Sequence, residues 1–515
     1  MSRSTQSIVI AGGGTAGWLS ACRLAAWSKA EGRSIDITLI EAPDIPAVGV
    51  GEGTWPTMRD TLAQIGIDEA EFLEAAHASF KQGSRFDSWR SGAENGDSYV
   101  HPFTPPPAVR DPRQLLAAWK QFEGRSFAAV MTAQDAVAAA NLAPRQHTMP
   151  AYAGALNYAY HLDAGKFVDL LRRHAVQRLG VTHVADRIVN VEADGNGDIA
   201  AILTASGTRA DGDLFIDCTG HGALLIGGFC GSPWVDRSGE LFNDRALAVQ
   251  VSVDANAPIA SETIATAHRA GWIWDIALPS RRGIGCVYAS RFLTDEEAEE
   301  ILADYIARVV PGSKPMKPRR LVFPTGHRER LWVRNCLAIG LSAGFVEPLE
   351  ASAIVMIELS VRALIENFPA SVNSMPIVAH QFNEQFAHRW SRVVEFLKLH
   401  YVLSDRSEPY WQAHRDPSTF PERLGDLLAL WRERAPSAYD LPLAEEIFPA
   451  ASYQYVYYGM GGALPPNLPR PDGALMQQIE QLTQRSRSLV AALPSNRAYF
   501  GANIAINPQM LEDRA

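Results

Sequence analysis

Excess basic charge, paired cysteines, long apolar runs and internal repeats are all missing from this 515-residue chain, and each absence removes a class of function. Lys and Arg number 47 against 57 Asp and Glu, a formal net charge of -10. Nucleic acid or an anionic membrane would therefore find no electrostatic footprint, and a small molecule is the expected partner. The five cysteines (Cys22, Cys218, Cys230, Cys286 and Cys336) are odd in number, far apart and without a CxxC pair. That pattern speaks against a disulfide framework or a zinc site, so no metal is expected and the thiols are read as buried in a reducing cytoplasm. No run of about 18 apolar residues occurs, and no charged-then-apolar leader precedes the strand at 7–11, so the reading is a soluble, cytoplasmic protein.

What is present is ordinary globular material: 47% hydrophobic residues, enough for a large core in one elaborated α/β enzyme or in two to four domain-sized units. Residues 7–41 read strand, glycine turn, helix, strand, which is one βαβ unit. A helix is expected over 68–80, opened by Asp68 and Glu71 in capping-box spacing, with Phe72, Ala76 and Phe80 on one side, ending near Lys81. Residues 91–150, rich in Gly, Pro, Asp and Ala, suggest loops and short helices. Helix returns at 163–179 with Asp163 as N-cap. Apolar or alternating runs at 186–192, 198–204, 213–218, 245–252 and 284–290 suggest a sheet inserted into the nucleotide-binding scaffold. After 350 the pattern turns helical, with Phe382, Phe386, Val393 and Leu397 spaced for one buried face and further helices near 421–434 and 473–492. The expected division is 1–370, an α/β domain with the inserted sheet and loops, and 371–515, a helical region packed on it.

The turn Gly12-Gly13-Gly14-Thr15-Ala16-Gly17 satisfies GxGxxG directly after a strand and at a helix start. There the backbone can approach a pyrophosphate while the helix N-terminus supplies partial positive charge. Glu41 ends the second strand at the distance where an acid meets a ribose hydroxyl in such folds. NAD and FAD share this fingerprint. Two further strand-to-glycine turns, at 214–220 and at 336–344 with Gly340 and Gly344, suit the longer FAD, and no second GxGxxG unit offers a nicotinamide site. Reducing equivalents are then expected as FADH2 from a separate flavin reductase.

Several motifs in order resemble the flavin-dependent halogenases typified by tryptophan halogenases, along 7 to about 465: GGGTAGW at 12–18, VGVGEGTWPT at 48–57, SFK at 79–81, YVHPF at 99–103, AYHLDAGKF at 159–167, GWIWDIALP at 271–279 and GLSAGFVEPLEASAI at 340–354. The resemblance implies an α/β, Rossmann-like, FAD-binding monooxygenase-type fold with an inserted β-sheet and a helical C-terminal region. It implies an enzyme in which oxygen, chloride or bromide and reduced FAD yield hypohalous acid, consumed away from the flavin on an aromatic, indole-like substrate. Gly51 falls with the flavin-side glycines.

By the same resemblance Lys81 holds the electrophile, as hydrogen-bond donor or haloamine, beside one carbon of the arene. Glu350 polarises it or accepts the proton lost from the ring. With Pro348 suited to a helix's opening turn, Glu350 is expected near that helix's N-terminus. The amides of Ser352 and Ala353 correspond to the halide position, although this chain has Ala-Ser-Ala where relatives usually carry Ser-Thr-Gly. Trp272, Trp274 and Ile276 match WxWxIP, which keeps substrate from the flavin; Ala277 replaces the proline. His101 and Phe103 match positions that stack on the substrate ring.

The segment that closes over the amino-acid backbone in tryptophan enzymes, ahead of a tyrosine-containing strand, is shortened here to 439–462, which points away from free tryptophan and toward indole or a larger aromatic. Glu445 and Glu446 are the carboxylates left to meet an ammonium. A homodimer remains compatible with this reading. The competing functions are an aromatic-ring flavin hydroxylase and a non-catalytic flavin-binding protein.

Overall fold

The chain is described here by a computed structural model covering residues 5–45, 51–93, 96–313 and 317–501. Residues 48–50 of the VGVGEGTWPT stretch lie outside the described residues.

Two compact units interleave along the sequence. The first takes Met1–Ala76, Asp163–Asp244 and Phe323–Val394, and the second takes His77–Leu162, Arg245–Val322 and Glu395–Ala515. Residue 370 therefore falls inside the first unit, whereas the sequence reading put a boundary there.

In the first unit, the apolar strands Ser7–Ala11 and Leu214–Asp217 are buried on both faces, as central parallel strands must be. They pair in a six-stranded sheet ordered Trp332–Val333, Cys336–Ala338, Leu214–Asp217, Ser7–Ala11, Asp36–Glu41, Thr182–Ala185. All its neighbours are parallel except the first two. Helix Thr15–Ala30 follows the first strand, as expected. Helix Ala164–His174 starts where Asp163 accepts a hydrogen bond from the Lys166 amide at 3.1 Å, and continues as one turn of wider helix, Ala175–Leu179.

The expected inserted sheet is divided. Ile188–Ala193, largely exposed, and Ile199–Thr204, mostly buried, join Arg209–Asp211 in a small antiparallel sheet, and Leu214–Asp217 belongs to the nucleotide-type sheet. Only Arg245–Ser252 and Arg281–Tyr288 enter the large sheet of the second unit. That sheet has seven strands in the order Arg319–Val322, Arg245–Ser252, Arg281–Tyr288, Gly271–Ala277, Thr263–His268, Gly83–Asp87, Ser98–Pro102.

Three local expectations change. The helix begun by Asp68 stops at Ala75, His77 turns left-handed (φ 45°), and 79–81 is a strand rather than a helix end. The Asp163 amide takes the Ala76 carbonyl at 3.0 Å, a tertiary contact that ends the helix early. Pro348 lies in a turn before helix Ser352–Glu366 rather than in its opening turn, because Ala351 adopts φ 53° and its amide bonds to the Pro348 carbonyl at 3.1 Å; Glu350 still stands beside the helix's N-terminus, just ahead of the N-cap. The tyrosine-rich segment forms helix Ala450–Gly459, not a strand; Tyr453, Tyr455, Tyr457 and Tyr458 are all buried, and a helix buried all round needs no amphipathic period.

Candidate active site

Each unit carries one set of chemically suited residues. In the first, three glycines of the turn do different work. A β-carbon at Gly12 (φ 107°) would stand 2.2 Å from the Cys218 carbonyl oxygen, and one at Gly17 would stand 1.9 Å from the Gly12 carbonyl oxygen. A β-carbon at Gly14 would meet nothing within 4 Å. Gly14 is also the N-cap of helix Thr15–Ala30, and no side chain caps that end. Free first-turn amides under an open glycine face form a cradle that fits the pyrophosphate of a dinucleotide.

Around the cradle, Gly340 (φ 79°) packs onto the Ala16 methyl, where a β-carbon would come within 2.6 Å. Asp217, fully buried, accepts hydrogen bonds from the Thr219 hydroxyl (2.7 Å) and from the amides of Thr219 (2.9 Å), Leu225 (2.9 Å) and Ile226 (2.8 Å). One carboxylate thus ties the second glycine turn together, a role the sequence reading missed although Asp217 ends an apolar strand in plain view. Glu41 ends its strand beside the turn: its carboxylate accepts from Trp18 Nε1 at 3.3 Å, and His183 Nε2 lies 2.8 Å away. Gly344 has a different explanation, since the space of its missing side chain is filled by Trp390 and His327.

The segment Gly51-Glu-Gly-Thr-Trp-Pro-Thr57 is bound to the one that carries Glu350. Gly51 adopts φ 155°, Trp55 Nε1 donates to the Glu350 carbonyl at 2.9 Å, and Thr57 and Thr61 donate to the Glu358 carboxylate at 3.0 and 2.5 Å. Burial pushes the Glu358 carboxyl up to about 7, against the pull of those two hydroxyls. Glu350 itself is 4% exposed. The helix that follows has no side-chain cap; its first residue, Ser352, is buried and Ala353 is exposed. Trp55 and Thr57 fall inside the motif at 48–57 but were given no role from sequence, and Glu358, four residues beyond the motif at 340–354, was not singled out.

In the second unit, Lys81 is 1% exposed on the strand Ser79–Lys81, paired antiparallel with Ala159–Leu162. Its Nζ lies 5.5 Å from the Phe103 ring centroid, so these two expected site residues come together. Ser79 Oγ donates to the Ala277 carbonyl at 2.7 Å, pinning the lysine strand to the end of GWIWDIA. Phe80 points into a cluster with Tyr158, Tyr160, Tyr499 and Phe500. His101 is buried, with Nε2 2.9 Å from Ser452 Oγ and its ring 5.7 Å from that of Phe396.

Trp272 and Trp274 share one face of a wholly buried strand, edge to face at 6.4 Å. Trp272 packs on Trp89, and Trp274 fills the space above Gly285, its Nε1 buried without a hydrogen-bond partner. Ile276 is 6% exposed on the same face. In the loop ahead of the tyrosine helix, Glu446 accepts from the Leu443 amide at 3.1 Å, while Glu445 is exposed.

Comparison with known proteins gives this arrangement a family. The model described as tryptophan halogenase matches residues 7–474. Tryptophan 7-halogenase RebH of Lentzea aerocolonigenes is 34% identical over 535 residues, covering 96% of this chain and 98% of that protein. The crystal structure of a tryptophan halogenase from Shewanella frigidimarina superposes with a TM-score of 0.89 at 42% identity, covering 96% of this chain and 97% of its own. Xcc4156, a flavin-dependent halogenase from Xanthomonas campestris, gives 0.86 at 34% identity over 97% and 98% of the two chains. On these matches, which run along nearly the whole chain, this chain belongs to the tryptophan halogenase family and is a flavin-dependent halogenase.

Proposed function

We propose that the chain uses oxygen, chloride or bromide and reduced FAD from a separate reductase to place a halogen on an indole-like arene, with Lys81 and Glu350 as catalytic residues. Bound FADH2 would deliver two electrons to oxygen, and the resulting peroxide-level oxygen is the oxidant that converts halide to hypohalous acid, leaving oxidised flavin and water. The cradle at Gly12, Gly14 and Gly17 holds the pyrophosphate, with Thr15 and Ala16 in the first turn and Glu41 on the ribose side. The first-turn amides of Ser352 and Ala353, uncapped by a side chain, hold the halide.

Lys81 donates a hydrogen bond to the oxygen of hypohalous acid, or takes the halogen as a haloamine, and so keeps it from diffusing away. Its partner in placing the arene is Phe103, with His101, Trp272, Trp274 and Ile276 shaping the surrounding wall. Glu350 accepts the proton that leaves the ring carbon. The observation that carries this reading is an ammonium group taken almost entirely out of water, on a strand pinned by Ser79, 5.5 Å from an aromatic ring. Taking an ammonium out of water is expensive, and such groups are kept where they act.

The test is Lys81→Ala incubated with FAD, a reductase, oxygen, bromide and indole. Halogenated product should vanish while flavin oxidation and hypobromite release continue; surviving bromoindole would remove the lysine from the mechanism. An oxygenated, halogen-free product from the unaltered chain would instead favour a hydroxylase. Free tryptophan should turn over poorly compared with indole, because the segment 439–462 is short and its Glu446 already accepts the Leu443 amide. A cytoplasmic location fits five free cysteines, and no helix among the described residues is long and apolar enough to cross a membrane.

A further inference from the structure

A buried histidine ordinarily finds partners for both ring nitrogens and fills space as it does so. His161 meets only half of that description. It is fully buried, Nε2 lies 2.8 Å from Thr263 Oγ1, and Nδ1 has no hydrogen-bond partner. A leucine there would fill the same core without stranding a polar atom, so packing alone does not account for the imidazole.

Its position on the strand does. Ser79 stands opposite His161 and Lys81 opposite Ala159, and residues opposite one another in an antiparallel pair share a face, as do alternate residues along a strand. Lys81 and His161 are therefore diagonal neighbours on one face, with only the Ala159 methyl across from the lysine. The other face is taken by Phe80 and Tyr160. Burial first, and then the charge of Lys81, hold the His161 imidazole well below its ordinary pKa, so the ring stays neutral beside the ammonium.

We propose that His161 is a positioning residue for Lys81: clamped through Nε2 by Thr263, it offers Nδ1 on the lysine's face of the strand pair and fixes where the ammonium stands when it carries the halogen electrophile. This rests on the reading of Lys81 given above. A neutral ring nitrogen stabilises an adjacent ammonium without repelling it, which a second cation could not do. The role differs from that of the ring-stacking side chains, because His161 acts through the lysine and need not touch the arene.

The experiment uses the full chain with FAD, a reductase, oxygen and bromide, varying indole and recording flavin oxidation, trapped hypobromite and bromoindole together. For His161→Leu, kcat for bromoindole should fall by at least about tenfold, the scale of a small misplacement of a reacting group, with KM and flavin oxidation unchanged and more hypobromite escaping. His161→Asn, which restores a polar atom near the Nδ1 position, should recover most of the loss.

Wild-type coupling in His161→Leu overturns the proposal. So does an asparagine variant as poor as the leucine one, or a loss in which flavin oxidation and Tm fall in step with product. Should His161→Leu not fold, the asparagine variant compared with His161→Gln decides, the glutamine losing more product per flavin oxidised. Lys81→Ala run alongside separates the two readings: bromination by that variant defeats the lysine assignment, whereas a dead lysine variant beside a fully coupled His161→Leu defeats only the inference about His161.

Discussion

At the turn 12–17 the groups we propose to meet a ligand belong to the backbone, whereas on the strand Ser79–Lys81 the proposed working group is one side chain on a strand that is itself buried. The difference governs what each region tolerates. In the turn, a residue matters for the side chain it lacks: Gly12 and Gly17 because the chain folds back on itself there, Gly14 because the space above it is open. On the strand, by the proposed reading, a residue matters for what it carries out of water and its neighbours for holding that group still. Steric rules therefore predict mutational effects in the first region, and electrostatic and hydrogen-bonding rules in the second.

The largest effect should come from Gly17→Ala. Its β-carbon, 1.9 Å from the Gly12 carbonyl oxygen, can be accommodated only by moving backbone, and a loss of several kcal/mol in stability is expected. Gly14→Ala should melt within about 2 °C of the parent, since nothing lies within 4 Å of the added methyl, yet bind FAD roughly tenfold more weakly because the methyl occupies the cradle. Thermal melts and flavin titration check both, and a Gly14→Ala chain with parental flavin affinity would break the contrast. Glu350→Gln comes next. A rate loss of roughly a hundredfold with FAD binding preserved is expected of a lost proton acceptor, and unchanged turnover would remove Glu350 from the mechanism.

A pH-dependent effect belongs to the lysine's unit. Glu262, 3% exposed with Oε1 unpartnered, has its carboxyl pushed up to about 8, first by burial and then against the pull of Arg85. A carboxyl whose folded pKa is raised binds its proton more tightly in the native state. Its stabilisation is therefore complete below the unfolded value of about 4.3 and lost as pH rises through about 8. Relative to Glu262→Gln, the parent should lose stability between those limits with a slope approaching about 1.4 kcal/mol per pH unit. Denaturant melts at pH 5 and pH 8 measure it, and a pH-independent difference would show that Glu262 ionises freely.

The same contrast explains what could be read from the sequence. The glycine turn, the Asp163 cap and helix Gly473–Ala492 follow from local sterics and spacing, which letters in a row record directly. The strand holding Lys81 is three residues long, too short to show a period, and it replaces a helix that a contact with Asp163 cuts off at Ala75. Glu350 sits outside its helix because an alanine, Ala351, takes a left-handed conformation that a reader would assign to glycine. The tyrosines at 453, 455 and 457 alternate like a strand, yet burial on every side makes the segment a helix. Lys81 and Glu350 themselves were legible only through resemblance, since neither a lysine nor a glutamate announces its burial.

The finest test of the side-chain region is Phe103→Leu. The ring centroid lies 5.5 Å from Lys81 Nζ, within range of a cation–π attraction of roughly 0.5–2 kcal/mol, larger the drier the site. Leucine keeps most of the apolar volume and deletes the π-face, so the single variant mixes packing with electrostatics. A double-mutant cycle with Lys81→Met removes the packing part: the coupling energy from denaturant melts should be about 1 kcal/mol in favour of the pair. Coupling near zero would mean that the ring is a spacer and that the lysine is held by other groups. In that case Phe103→Leu should also leave bromoindole formation unchanged, whereas a working contact predicts a loss of about fivefold, the rate equivalent of that 1 kcal/mol.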